Sequence, residues 1–270
     1  MQFRLYTVLM ASLPMSAQDF YSREREAALG AGLAKEVQQR TGPIDNAVIR
    51  DYVERTGSRL AAQLPGTGFP YLFSVISGDV GGRTHEPLSL PGGYIFVPGT
   101  LILTCQTEAE FAGMLAHAMA HTAERHGTRQ AARAIQGNLT SLPLIFMGGW
   151  MGGQEGLIPL AVLDIHRRFE TEADALAVRA MADAGYDPEA LVSYIRRVQP
   201  GDGETSKMSA LPPRDSRITA MENTIRELPS KTYVATDEFP RIQEELRRLL
   251  PSPVRRVPTL YRPNERPQNQ

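Results

Sequence analysis

His117 and His121 lie four residues apart in the string Leu115-Ala-His-Ala-Met-Ala-His-Thr-Ala-Glu-Arg-His126. On a helix that spacing stacks two imidazoles on one face, near enough for both to reach one metal ion. Hydrolytic zinc sites with this spacing usually read His-Glu-x-x-His, and the glutamate takes a proton from the attacking water. Here that position is Ala118. The pair argues for a metal site without a resident general base. Without a third ligand it is equally compatible with solvated helix histidines.

A third ligand is available in Arg167-Arg-Phe-Glu-Thr-Glu-Ala-Asp-Ala-Leu176. Phe169, Ala173, Leu176, Ala177, Ala180 and Met181 recur at helical spacing, and Glu170 and Asp174 border that stripe. A partly buried carboxylate is costly unless it is paired or bound to metal. Glu170 can complete a site of two histidines and one glutamate, with a fourth position open to water, while Asp174 orients one histidine from behind. The alternative is a surface ion-pair network with Arg167, Arg168 and Arg179.

The elements that must hold these groups are legible from their ends. Thr107 and Glu110 form a capping box, and Gly127 suits a left-handed C-terminal cap, which predicts a helix over Glu108–His126. On it Phe111, Leu115, Ala118, Met119 and Thr122 share a packing face, whereas Glu110, His117, His121 and Glu124 share the other. The carboxylate helix ends at Gly185. Upstream, Ser22 caps a helix with Glu24 and Glu26 in its first turn, running to Arg40 before Gly42-Pro43. Asp45 caps a second to about Leu64, with Val48, Ile49, Tyr52 and Val53 at positions for burial. Tyr71–Ile76 and Gly93–Val97 read as strands of a small sheet. Asp187-Pro188 starts a helix to about Val198, and Phe239–Leu250 reads as a terminal amphipathic helix.

Composition narrows the classes. Of 270 residues 42% are hydrophobic and 22% charged, and a net charge of -1 gives no electrostatic basis for binding nucleic acid or an anionic membrane. The single cysteine, Cys105, rules out an intrachain disulfide and a thiolate cluster, so a metal must use histidine and carboxylate ligands. Arg4, the apolar run Leu5–Met15 and Ser16-Ala17 resemble an export signal, with a buried or interfacial helix as the alternative. That run is shorter than the roughly 20 residues a membrane span needs, and no transmembrane helix is expected. Leu139–Leu163 is apolar but broken by glycines and prolines, which suits a lid, a hydrophobic substrate surface or two short core helices. Pro251–Gln270, rich in proline and polar residues, is expected to be disordered.

Taken together, Leu90-Pro-Gly-Gly-Tyr-Ile-Phe-Val97, the histidine helix, Glu170-Thr-Glu-Ala-Asp174 and Ala182-Asp-Ala-Gly-Tyr-Asp-Pro188 resemble, in chain order, the M48 family of zinc metalloendopeptidases. This gluzincin group includes periplasmic chaperone-proteases and CAAX-processing enzymes. The resemblance covers about Ser22 to Met221. It implies one Zn²⁺ per chain on His117, His121 and Glu170, with Asp174 behind a histidine. It also implies a cleft-lining strand, in which Gly92, Gly93, Tyr94, Ile95 and Phe96 pair with an extended peptide at a free sheet edge.

Two departures bear on activity. Ala118 stands where the family has its catalytic glutamate, and Leu211 where Ser209-Ala-Leu-Pro-Pro213 resembles a Thr-His-Pro-Pro segment. Arg217 matches a family arginine, and serves either as an oxyanion donor or as a structural ion-pair partner. Neither Glu110 nor Glu124 has the usual position for a substitute base. His126 reads as a cap or core residue, and His166 as a residue preceding the Glu170 helix that can support the site.

The expected fold is α+β and mainly helical, a zincin-like domain with a small sheet. Residues 1–17 form the expected signal, 18–221 the peptidase domain, 222–250 a helical extension and 251–270 a tail. The expected function is zinc-dependent peptide hydrolysis impaired by Ala118, in an exported, periplasmic or extracellular protein that can be membrane-associated. A non-catalytic, chaperone-like holder of unfolded peptides is the rival. Substrate identity and oligomeric state are not legible.

Overall fold

The computed structural model describes residues 22–77, 86–129, 160–201, 211–233 and 236–250. The expected signal, the 139–159 part of the apolar connection, Ser209, Ala210 and the 251–270 tail lie outside the described residues. So do the side chains of residues 160–163.

Helix α1 (Arg23–Arg40) starts at Ser22, whose Oγ accepts the Arg25 N–H at 3.3 Å. Helix α2 spans Ala47–Ala61, and its cap is Asn46 rather than Asp45. The Asn46 carbonyl oxygen accepts the Ile49 N–H at 3.1 Å, while Asp45 pairs with Arg50 at the surface. Ile49, Tyr52 and Val53 are buried, but Val48 is 58% exposed, and the helix stops short of Leu64.

The sheet has three strands, β1 (Leu72–Ile76), β2 (Leu88–Leu90) and β3 (Tyr94–Pro98), in the order β1-β3-β2. β1 runs parallel to β3 with Phe73 opposite Ile95, and β2 runs antiparallel with Ser89 opposite Ile95. β2 went unread because three residues carry no period-two signal. The strand expected at a free edge is therefore the central one. A short helix, α3 (Gly99–Thr104), follows β3 directly.

Helix α4 (Glu108–Ala123) begins as its capping residues predict. Thr107 Oγ1 accepts the Glu110 N–H at 3.1 Å, and Glu110 Oε2 accepts the Gln106 N–H at 2.7 Å. It ends earlier than Gly127 suggests, because the chain turns at Arg125, a non-glycine residue with φ of 52°. That left-handed conformation is costly for a side chain with a Cβ, and an ion pair to a buried carboxylate accompanies it: Arg125 Nε donates to Glu26 Oε2 of α1 at 2.7 Å. The expected division of α4 into a packed and a polar face also fails. Glu110 and His117 are buried along with Phe111, Leu115 and Met119, because α5 lies along α4 while α2 and the sheet adjoin it as well.

Helix α5 (Leu160–Asp183) contains the whole carboxylate segment, including His166, which sits inside the helix one turn before Glu170. Gly185, with φ of 85°, follows its end. Then come α6 (Glu189–Val198), α7 (Arg214–Arg226) and α8 (Glu238–Leu249). Phe239 of α8 packs 6.1 Å from Tyr52 and 5.9 Å from Phe111, ring centre to ring centre. The boundary expected at 221/222 falls inside α7, and α8 belongs to the main core. The result is a mainly helical α+β fold around a small sheet. Among the described residues no helix is long and apolar enough to cross a membrane.

Candidate metal centre

α4 and α5 pack lengthwise, and their contact brings three expected ligands together. His117 and His121 come from successive turns of α4, with Nε2 atoms 3.1 Å apart. Glu170 of α5 places Oε2 3.4 Å from His117 Nε2 and Oε1 3.5 Å from His121 Nε2. Ligands held tetrahedrally at ~2.05 Å from zinc are separated by roughly 3.3 Å, so these spacings suit that ion. His117 and Glu170 are buried, and His121 is half-buried. Glu170 Oε2 is shielded from solvent yet has no hydrogen-bond partner, a costly position for a carboxylate oxygen. It faces His117 Nε2, while Oε1 of the same carboxylate faces His121 Nε2. A divalent cation with histidine and carboxylate preferences fits this donor set.

A second layer holds the first. Asp174, one turn after Glu170, brings Oδ1 to 2.9 Å from His117 Nδ1, although the N–H does not point squarely at that oxygen. Arg217 of α7 grips Asp174 with two hydrogen bonds, Nε to Oδ2 at 2.5 Å and Nη2 to Oδ1 at 2.9 Å. Its Nη1 donates to Gln199 Oε1 at 3.2 Å, and Gln199 Nε2 in turn donates to the Pro212 carbonyl at 2.8 Å. Arg217 is only 1% exposed, and its approach to Glu170 Oε2 is 3.9 Å. Of the two roles foreseen for this arginine, the geometry is that of the buried ion pair. Gln199 was missed; nothing local marks a helix-ending glutamine that ties α6 to α7.

Electrostatics divide the histidines. Burial alone would lower His117, but Asp174 and Glu170 more than offset it and raise it to about 10. Burial depresses His121 to about 3. Burial would raise Glu170, and the neighbouring His121 and His117 instead hold it well below the usual carboxylate range. A protonated His117 therefore donates its Nε2 proton to His121 Nε2 when no metal is present, which puts the proton of neutral His121 on Nδ1. His166 approaches Glu170 from its own helix, with Nδ1 3.3 Å from Oε1.

Ala118 is buried beside these ligands, with no carboxylate at its position. Glu110 is turned to the Gln106 N–H and Arg197, and Glu124 lies 3.6 Å from Arg129 at the helix end. The five residues expected to meet a peptide do not offer it an edge. β1 and β2 occupy both sides of Tyr94, Ile95 and Phe96, and Ile95 and Phe96 are buried. Gly92 and Gly93, at φ of 76° and 91°, are small for a different reason: a Cβ on Gly93 would sit 2.1 Å from the Pro70 carbonyl, and one on Gly92 3.0 Å from Ala27 Cα. Leu211 is half-buried where the resembling segment has histidine.

The sequence is similar to those of known proteins. The sequence pattern of peptidase family M48 matches residues 87–225, more than half of the chain and the stretch that carries all three site residues, Asp174 and Arg217. The beta-barrel assembly-enhancing protease of Yersinia pestis is 21% identical over 251 residues, covering 86% of this chain and 50% of that protein. Its counterpart in Escherichia coli K12 is 20% identical over 248 residues, covering 83% and 48%. The mitochondrial metalloendopeptidase OMA1 of Schizosaccharomyces pombe is 29% identical over 156 residues, covering 53% and 44%. The chain thus spans about half the length of the curated relatives it matches. With the match extending from the sheet through both site helices to α7, the chain belongs to peptidase family M48.

Proposed function

We propose that the chain is a zinc-binding metalloendopeptidase scaffold whose hydrolytic step is severely impaired by Ala118. The observation that carries this reading is the buried Glu170 carboxylate, whose Oε2 has no hydrogen-bond partner and faces His117 Nε2 while its Oε1 faces His121 Nε2. In it, His117, His121 and Glu170 hold the ion, Asp174 orients His117, and Arg217 positions Asp174 rather than donating to an oxyanion. Zinc, when bound, supplies Lewis-acid chemistry that polarises a peptide carbonyl and acidifies water. The chain supplies no carboxylate at residue 118 to move the proton, and general acid–base catalysis is worth about 10²- to 10⁴-fold.

A polypeptide substrate docks, in this reading, along β2. Among the described residues β2 pairs only with β3, and its Ser89 hydroxyl lies 2.9 Å from the Thr122 hydroxyl of α4, one residue past His121. An added antiparallel strand there lies beside the ligand helix. The N-terminal export pattern supports a periplasmic or extracellular location in this reading. Comparing the zinc-loaded chain with Ala118→Glu on unfolded casein tests the reading. Cleavage by Ala118→Glu alone supports it. Cleavage by neither, with retained binding of unfolded casein, favours the non-catalytic, peptide-holding alternative, which the missing carboxylate at residue 118 also motivates.

A further inference from the structure

We propose that His126, backed by Glu172, positions His121 by fixing which of its ring nitrogens carries the proton. The inference rests on the reading of His121 as a metal ligand. His126 Nδ1 lies 3.0 Å from His121 Nδ1, and its Nε2 lies 3.1 Å from Glu172 Oε2. Two facing ring nitrogens at that distance share one proton. The Glu172 carboxylate accepts from His126 Nε2, so His126 carries its proton there and offers Nδ1 as an acceptor. His121 must then donate from Nδ1, which leaves its Nε2 lone pair directed at Glu170 and His117. With both imidazoles neutral, the proton order along Glu172, His126 and His121 has a single consistent solution, and it is the one a metal requires.

The surroundings hold His126 in this role. It is 3% exposed and stacks on Phe169, the residue before Glu170, with ring centres 4.3 Å apart and planes 15° apart. The Arg129 guanidinium lies over the same Phe169 ring at 4.8 Å, and its Nη1 donates to Glu172 Oε2 at 3.1 Å. The left-handed turn at Arg125, held by Glu26, folds residue 126 back towards His121; a continued helix would carry it about 140° around the axis. Five residues is not a same-face helical spacing, which is why the sequence reads His126 as a cap or core residue. Glu172 lies between Glu170 and Asp174, two residues past the ligand, where its spacing carries no metal-site signal of its own.

Three variants and two readouts test the proposal. His126→Phe keeps the stack and removes the acceptor. His126→Asn restores an acceptor oxygen near the Nδ1 position, and Glu172→Ala removes the anchor for the His126 proton. Zinc affinity, measured by competition with a chromophoric chelator, should fall about 10- to 100-fold in His126→Phe, recover most of that loss in His126→Asn, and fall by a smaller factor in Glu172→Ala. Long-range ¹H–¹⁵N correlation spectra of metal-free His117→Ala, in which the His117 imidazole no longer faces His121 Nε2, should show His121 protonated at Nδ1, and a mixture of tautomers when His126→Phe is added. Unchanged affinity in His126→Phe, an equal loss in His126→Asn, or His121 protonated at Nε2 would overturn the proposal. Failure of the wild-type chain to bind zinc removes the metal reading instead, and the tautomer spectra still decide the role of His126.

Discussion

Asp174 and Arg217 form a two-point ion pair that is almost completely buried, with hydrogen bonds of 2.5 and 2.9 Å, directly behind the metal-facing His117. Such a pair is not strongly stabilising in itself, because desolvating both charges offsets their attraction; removing one partner leaves the other charge stranded. Arg217→Met is therefore expected to cost about 3 to 5 kcal/mol in urea denaturation. The double variant Asp174→Asn with Arg217→Met should recover part of that loss, since no charge is left unpaired. A loss under about 1 kcal/mol in the single variant would mean that water or another group replaces the guanidinium.

Zinc binding should release protons in a specific number. In the metal-free chain His117 retains its proton up to about pH 10, whereas His121 is already neutral down to about pH 3. Glu170, held well below the usual carboxylate range, gives up none. Near-neutral titrations should thus release about one proton per zinc, and affinity should rise about tenfold per pH unit. Calorimetry in buffers of different ionisation enthalpy measures the count. Release of two protons, or none, contradicts the division between the histidines.

Two glycines of α1 should respond to alanine with opposite signs. A Cβ on Gly30 would lie 1.8 Å from the Pro91 carbonyl oxygen, so the helix would have to move off the Pro91–Gly93 turn. The Cβ of Gly32 would meet nothing within 4 Å. Gly32→Ala should stabilise by about 0.5 to 1 kcal/mol through helix propensity, while Gly30→Ala should destabilise by about 1 to 3 kcal/mol through overpacking. Thermal melts of the two variants give the comparison. Equal signs would mean that α1 does not pack closely on that turn.

Local chemistry carried much of the fold and less of the site's support. Ser22, Thr107 and Gly185 marked helix ends because a cap is a short-range hydrogen bond or a backbone conformation that few residue types satisfy. The contact that brings Glu170 to the histidines was legible because two motifs with ligand spacing need each other. What escaped depends on distant partners. Asp45 and Asn46 are near-equivalent caps, and only the Ile49 N–H distinguishes them. The turn at Arg125 accompanies an ion pair to Glu26, 99 residues away in sequence. β2 is too short to show a period, so β3 looked like an edge, and its glycines like an opening for substrate, when both are packed by other parts of the chain.

Metal content tests the centre most directly. The purified chain, stripped with a chelator, reloaded with Zn²⁺ and desalted, should retain a single zinc ion by inductively coupled plasma mass spectrometry. His117→Ala, His121→Ala and Glu170→Ala should each lose it while remaining folded by circular dichroism. A wild-type chain that retains no zinc, or zinc that persists in all three variants, would contradict a metal centre built from these residues.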